Sequence, residues 1–193
     1  MTFDWHTILG LTSSAILVAI LFPYVSSILH GPTRPNVVSW AGWALLSGIA
    51  TAIQFSEGAS WSVVVPLLAT VSTAIVAIFA IRLGYAKFTR SDIICIGLGI
   101  IAIGMWLIAR APLVSILLAI LADTIVTIPT YLKTYRDPFS EPAWLWFIYI
   151  VGATLGVIAS TSPDRYNLTY PIYLVLSSSA IWLLALRGRL KRI

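Results

Sequence analysis

Residues 22–40 read FPYVSSILHGPTRPNVVSW, and residues 128–146 read IPTYLKTYRDPFSEPAWLW. In each stretch a proline late in an apolar run is followed by a basic, proline-containing turn. A tryptophan then opens the next apolar run. The step from Pro23 to Trp40 is 17 residues, and so is the step from Pro129 to Trp146. Further out, Pro66 precedes Arg82 by 16 residues, as Pro171 precedes Arg187. The offset between copies is 106 residues at the first two landmarks and 105 at the last two. Three apolar segments, repeated around one extra segment, form the pattern of membrane folds built from parallel repeats.

Composition agrees with that reading. Of the 193 residues, 59% are hydrophobic and 10% charged, and the mean hydropathy is +0.95. A soluble domain carries about a quarter charged residues. So much apolar surface cannot be hidden inside one small globule, so the expected solvent is lipid. Residues 1–6 lack a basic region and the first apolar run has no A-x-A site, so that run reads as a first span and not a cleaved signal. Cys95 is the only cysteine, which excludes an internal disulfide and a cysteine metal site. The net charge of +5 is explained by positive charge on cytoplasmic loops, so no nucleic-acid partner is expected.

A span needs about 17–25 apolar residues. Seven segments qualify: 7–29, 37–55, 61–81, 93–109, 112–131, 143–160 and 169–186. The expected fold is all-α and integral to the membrane. A first three-helix repeat occupies 1–86, a linker helix 87–110 and a second repeat 111–193 with a basic tail. Arg34, Arg82, Lys87, Arg90, Lys133, Arg136, Arg187, Arg189, Lys191 and Arg192 fall on one face, and Arg110 and Arg165 on the other. Ten against two sets the N-terminus outside and the C-terminus in the cytoplasm, in the plasma or inner membrane. Trp5, Trp61, Trp144 and Trp146 near span ends read as interfacial anchors. The tail reads as a stop-transfer anchor for anionic lipid.

The stretch around Pro23 and the stretch Ile128 to Pro138 resemble the PQ-loop repeat, which places a Pro-Gln pair late in the first helix of a three-helix unit. The 3+1+3 order and the outside N-terminus resemble the SWEET branch. Tyr24 and Thr130 stand where the motif has glutamine, and the second helices lack the interior proline of SWEET proteins. The resemblance implies a divergent member that moves a small polar solute by alternating access: a sugar, amino acid, nucleoside or vitamin. The same group includes a non-transporting receptor, so a receptor or membrane chaperone is the alternative. A structural subunit of a larger complex is a third reading, with a covered small-residue face on helix 4 at Gly97, Gly99 and Gly104.

Asp123 is the only ionisable residue well inside a span. It follows Pro112 by eleven residues, about 16 Å along a helix and near the midplane. A carboxylate there must be paired, hydrated or protonated. It is expected to bind solute or to carry a proton coupled to transport; the alternative is a structural hydrogen bond to a neighbouring helix. Its counterpart in the first copy is Leu17, so the site would be asymmetric. Trp40 and Trp146 are suited either to sandwiching a planar ligand or to interfacial anchoring. Asn36, Gln54 and Thr127 offer hydrogen bonds to solute or to helix packing. Pro23 and Pro129 remove helical hydrogen bonds and are expected hinges, whereas Pro66 and Pro171 suit first turns. Arg34, Arg136, Asp137 and Glu141 form a candidate cytoplasmic gate of ion pairs, the alternative being a solvated turn.

No enzymatic activity is expected. No lysine lies in the seventh span for a retinal Schiff base, one intramembrane carboxylate is too few for an aspartyl protease, and His6 and His30 lie on opposite sides, which excludes a zinc site. No phosphate or dinucleotide glycine motif occurs. No metal or cofactor is expected. The expected partners are the lipid bilayer and a small-molecule solute. A homo-oligomer is compatible with the sequence but not required by it.

Overall fold

A computed structural model describes residues 4–56, 64–83, 85, 88–109, 112–159 and 165–190. Among these residues the protein is helical, with no strand. The helices are α1 (Trp5–Ala19), α2 (Leu21–His30), α3 (Val37–Ser56), α4 (Val64–Arg82), α5 (Arg90–Ile108), α6 (Pro112–Arg136), α7 (Ala143–Ile158) and α8 (Arg165–Leu190), with a 3-10 turn at Pro138–Ser140. Three stretches are long and apolar enough to cross a membrane: Trp5–His30, Leu117–Arg136 and Leu168–Gly188. Shorter apolar runs occupy Val37–Ile49, Leu67–Arg82 and Ala143–Ile158.

Local chemistry sets the boundaries. Asp4 caps α1, its carboxylate accepting from the His6 N–H. The expected first span 7–29 is interrupted: α1 stops at Ala19, Ile20 is a turn, and α2 resumes at Leu21. Pro23 is the cause, because it has no N–H to offer the Ala19 carbonyl four residues back. Gly31 ends α2, its N–H bonding the Ser27 carbonyl at 3.0 Å. A Cβ there would meet that oxygen at 2.8 Å, so only glycine closes the turn. Asn36 starts α3 by accepting from the Ser39 N–H at 3.1 Å. Thr89 and Asp92 form a reciprocal cap on α5, with Asp92 accepting from the Thr89 N–H at 2.7 Å and Thr89 Oγ1 from the Asp92 N–H at 3.2 Å. Pro66 lies in the first turn of α4, as expected, but Pro171 lies inside α8, which begins six residues earlier.

The packing is specific. α4 packs on both α3 and α2, and α8 packs on both α7 and α6. α1 crosses α7, α3 crosses α6, and α5 lies against α6 and α3. The α1–α7 crossing is antiparallel, with Ser13 Oγ donating to the Gly152 carbonyl at 2.7 Å and His6 Nδ1 3.3 Å from the Ala159 carbonyl oxygen. At the α3–α6 crossing Gly42 lies so close to Val126 that an added Cβ would sit 2.7 Å from the valine Cβ. Gly99 of α5 also faces Val126, while Gly97 and Gly104 face open space.

Large apolar side chains cover much of the surface, and polar side chains are buried among apolar clusters. Phe22 is 73% exposed, Ile108 78% and Leu176 65%, whereas Asp123, Thr127, Thr130, Thr134 and Glu141 are buried. An apolar exterior enclosing polar groups suits a lipid solvent. Basic and polar side chains gather at one end of the bundle. There the Arg34 N–H bonds the Ser140 carbonyl at 2.9 Å, and Lys133 Nζ donates to the Arg34 carbonyl. At the same end Arg187 donates to the Tyr135 carbonyl, and Gly188 abuts Pro138.

Candidate functional site

A cavity of about 590 Å³ lies between the two halves of the chain, within the range of small-molecule sites. Its wall takes Leu17 from α1, Tyr24 from α2, Trp40 and Trp43 from α3, and Ser72 from α4. The second half contributes Asp123 from α6, Trp146 and Tyr149 from α7, and Tyr170 and Ser177 from α8. A chain of ring contacts runs along it. Centroids are 4.9 Å apart for Tyr24 and Trp40, 5.1 Å for Trp40 and Trp43, 6.2 Å for Trp43 and Trp146, and 5.9 Å for Trp146 and Tyr149.

Asp123 is buried and its carboxylate is held by hydroxyls. Tyr173 donates to Oδ2 at 2.8 Å, Tyr170 approaches Oδ1 at 3.5 Å, and Thr127 Oγ1 stands 3.4 Å from Oδ2. The Thr127 hydroxyl also reaches the Asp123 carbonyl at 2.7 Å and accepts from the Trp43 indole at 3.1 Å. The i, i+4 spacing of Asp123 and Thr127 puts both on one face of α6. Among the described residues no cation pairs with Asp123.

A second cluster sits toward the basic end. Glu141 is fully buried, and three donors converge on it. Tyr24 donates to Oε2 at 2.8 Å, Trp146 donates to Oε2 at 3.0 Å, and Lys133 pairs with Oε1. Tyr24 and Trp146 thus line the cavity with their rings while their polar atoms bond to Glu141. Lys133–Glu141 is the one ion pair among the described residues.

The expected site residues distribute unevenly. Asp123, Trp40 and Trp146 share the cavity, and Thr127 supports Asp123. Trp146 is 7% exposed, which replaces its reading as an interfacial anchor, whereas Trp5 and Trp144 are exposed as anchors should be. Trp61 lies outside the described residues, as does the side chain of Gln54. Asn36 is not in the cavity: it caps α3 and donates to Asp92 at 3.2 Å, tying the starts of α3 and α5 together. Pro23 marks the α1–α2 break, and Pro129 sits inside an unbroken α6.

The expected gate pairs are rearranged. Arg34 donates to the Tyr85 hydroxyl at 2.6 Å and stacks on its ring. Asp137 caps the 3-10 turn, accepting from the Phe139 N–H at 3.1 Å. Arg136 is exposed and Glu141 pairs with Lys133. Lys133 wins because it lies on the inner side of the last turns of α6, eight residues before Glu141. Sequence reasoning missed Lys133, Trp43 and Tyr149. The last two stand 106 residues apart, so the offset found for Trp40 and Trp146 would have paired them. Tyr170 and Tyr173, whose roles the sequence left undecided, are the hydrogen-bond partners of Asp123.

Comparison with protein-family models, with curated proteins and with solved structures finds no match.

Proposed function

We propose that this protein is a membrane transporter that moves a small solute by alternating access, with two parallel three-helix units joined by α5. In this reading the first unit comprises α1 to α4 and the second α6 to α8. The basic end is cytoplasmic, the N-terminus is outside, and the chain is a divergent relative of the PQ-loop and SWEET-like proteins.

One observation carries the reading. Equivalent positions of the two copies line the same cavity. At an offset of 106 these are Leu17 with Asp123, Trp40 with Trp146, and Trp43 with Tyr149; at 105 they are Ala69 with Leu174, Ser72 with Ser177, Thr73 with Ser178, and Val76 with Ile181. A duplicated unit that closed around its own core would bury these positions in two separate places. Sharing them around one cavity is what a solute site at a repeat interface requires. The crossings α1–α7 and α3–α6 support this, since each first helix of one unit leans on the second helix of the other. In the cycle, the Tyr24–Glu141–Trp146 cluster would close the cytoplasmic side. The break at Ile20 would let α2 swing while α1 stays on α7.

The test is uptake into proteoliposomes of a panel covering sugars, amino acids, nucleosides, vitamins and organic amines. Uptake of one class above protein-free vesicles, lost on Trp146→Ala, is the expected result. Binding without uptake for every class would replace the transporter by a receptor.

A further inference from the structure

The cavity also speaks to the kind of solute, and this step rests on the cavity being a solute site as proposed above. Among the described residues that line it there is no Lys, Arg, His, Asn or Gln. Among those described residues Asp123 is the only charged group. A solute carrying a carboxylate or phosphate would enter without a cation to meet it and would bring a second negative charge beside the first. Zwitterionic amino acids and nucleotides are therefore poor occupants. Sugars are disfavoured on different grounds. Their many hydroxyls need paired donors and acceptors, which amide and carboxylate side chains usually supply. Several hydroxyls in the wall are spent as donors: Ser14 gives its proton to the Gly10 carbonyl at 2.9 Å, Ser47 to the Trp43 carbonyl at 2.7 Å, and Thr73 to the Ala69 carbonyl at 2.7 Å. What these groups retain are acceptor lone pairs.

The buried Trp40 indole N–H is a free donor in the wall, and the formal negative charge among the described lining residues sits on one side, at Asp123. An ammonium group is donor-only and positive. The remaining wall is aliphatic or aromatic, and Trp40, Trp43, Trp146, Tyr149 and Tyr170 supply ring faces that attract a cation and cover a flat body. Asp123 itself is more than nine-tenths buried, lines the cavity and has no cation partner among the described residues, so a cationic ligand would complete its pairing.

We propose that the cavity binds a small organic amine, a monocation with an apolar or aromatic body and no carboxylate, whose ammonium group sits on Asp123. The leucine counterpart of Asp123 at position 17 makes the site one-ended, so the ligand binds in one orientation: amine toward α6 and α8, body against the tryptophans of α3 and α7.

Three indole probes of nearly one shape and one polyol test this on the full chain in detergent and in proteoliposomes: tryptamine, the neutral alcohol tryptophol, zwitterionic tryptophan, and glucose. Affinity is read from the ligand dependence of thermal unfolding by circular dichroism, and uptake by chemical assay of the vesicle contents. Tryptamine is expected to bind about tenfold or more tighter than tryptophol, the difference between a charge-assisted and a neutral hydrogen bond, with no shift from tryptophan or glucose. Asp123→Asn should remove the preference for tryptamine over tryptophol, and Asp123→Glu should keep it. If Asp123→Asn fails to fold, the tryptamine-to-tryptophol ratio on the unsubstituted protein still decides. Equal binding of the two, or uptake of tryptophan or glucose, overturns the amine assignment and leaves the transporter reading standing. Tight tryptamine binding without uptake of any probe supports the amine site and overturns transport. No binding by any probe at millimolar concentration overturns the amine assignment and leaves the transporter reading to the wider uptake panel.

Discussion

Removing Glu141 should unfasten the basic end of the bundle, and its three partners let the size of the effect be ranked. In Glu141→Ala, Lys133 loses its counter-ion while Tyr24 and Trp146 lose a shared acceptor. Breaking a buried ion pair from one side costs about 3–5 kcal/mol, and the neutral donors add about 1–3 kcal/mol, less than additively because all three act on one group. Lys133 is 20% exposed and can turn its ammonium toward water, so the lower part of the range is expected: about 3–4 kcal/mol. Glu141→Gln is the sharper variant. Tyr24 and Trp146 both use Oε2, so an amide oxygen placed there keeps both bonds. Its NH2 group then faces the Lys133 ammonium, donor against donor. A loss of about 1–3 kcal/mol follows, smaller than for alanine. Adding Lys133→Met to Glu141→Gln removes the clash, so the double variant should be more stable than the sum of its parts predicts by about 1 kcal/mol. Reversible unfolding in a detergent–SDS titration, followed by circular dichroism, measures the unsubstituted protein, Glu141→Ala, Glu141→Gln, Lys133→Met and the double variant. An alanine variant that loses under about 1 kcal/mol, or a glutamine variant as damaged as alanine with no coupling to Lys133, would refute the convergent arrangement.

Other outcomes follow from single contacts. Gly42→Ala puts a methyl group 2.7 Å from Val126 Cβ and should cost about 1–3 kcal/mol by overpacking; Val126→Ala in the same chain should recover part of it, and an unchanged unfolding midpoint would mean that α3 and α6 are not in close contact. Gly97→Ala and Gly104→Ala meet nothing within 4 Å, so each should stabilise α5 by up to about 1 kcal/mol through helix propensity. A loss of stability or of a native oligomer in either variant would show that this face is covered. Pro23→Ala restores an N–H opposite the Ala19 carbonyl and should join α1 to α2. Higher thermal stability with slower solute uptake is expected, and uptake at the unsubstituted rate would remove Pro23 from the transport cycle.

The all-helical class was legible from composition and run length together: with 59% hydrophobic residues the expected apolar solvent leaves the backbone helices or a closed barrel, and apolar runs of about 17–25 residues suit helices rather than strands of about 9–11. Most helix boundaries were legible as well, since prolines, glycines and capping residues act within a few positions of themselves. Asp123 stood out for the same local reason: a lone carboxylate in an apolar run is expensive wherever the helix lies. Several local readings changed once the helices were in place. Pro171 suited a helix start but sits inside α8, Trp146 suited an interfacial anchor but is buried, and Asn36, open to solute or to helix packing, caps α3 and donates to Asp92.

Tertiary structure alone decided which partners meet. The spacing of Lys133, Arg136, Asp137 and Glu141 along the chain allowed several ion pairs, and only the turn of α6 into the Pro138–Ser140 segment selected Lys133 for Glu141. Two of the three hydroxyls on Asp123 come from α8, 47 and 50 residues away, a pairing fixed by the packing of α8 on α6. Amphipathicity could not reveal it, because α8 is apolar on its exposed and its packed sides alike and carries no stripe to say which face is which. The sequence carries matching landmarks at an offset of 105 or 106 residues. That residues at this offset, Trp40 with Trp146 and Ser72 with Ser177 among them, line one cavity is a property of how the helices pack, and local sequence does not encode it.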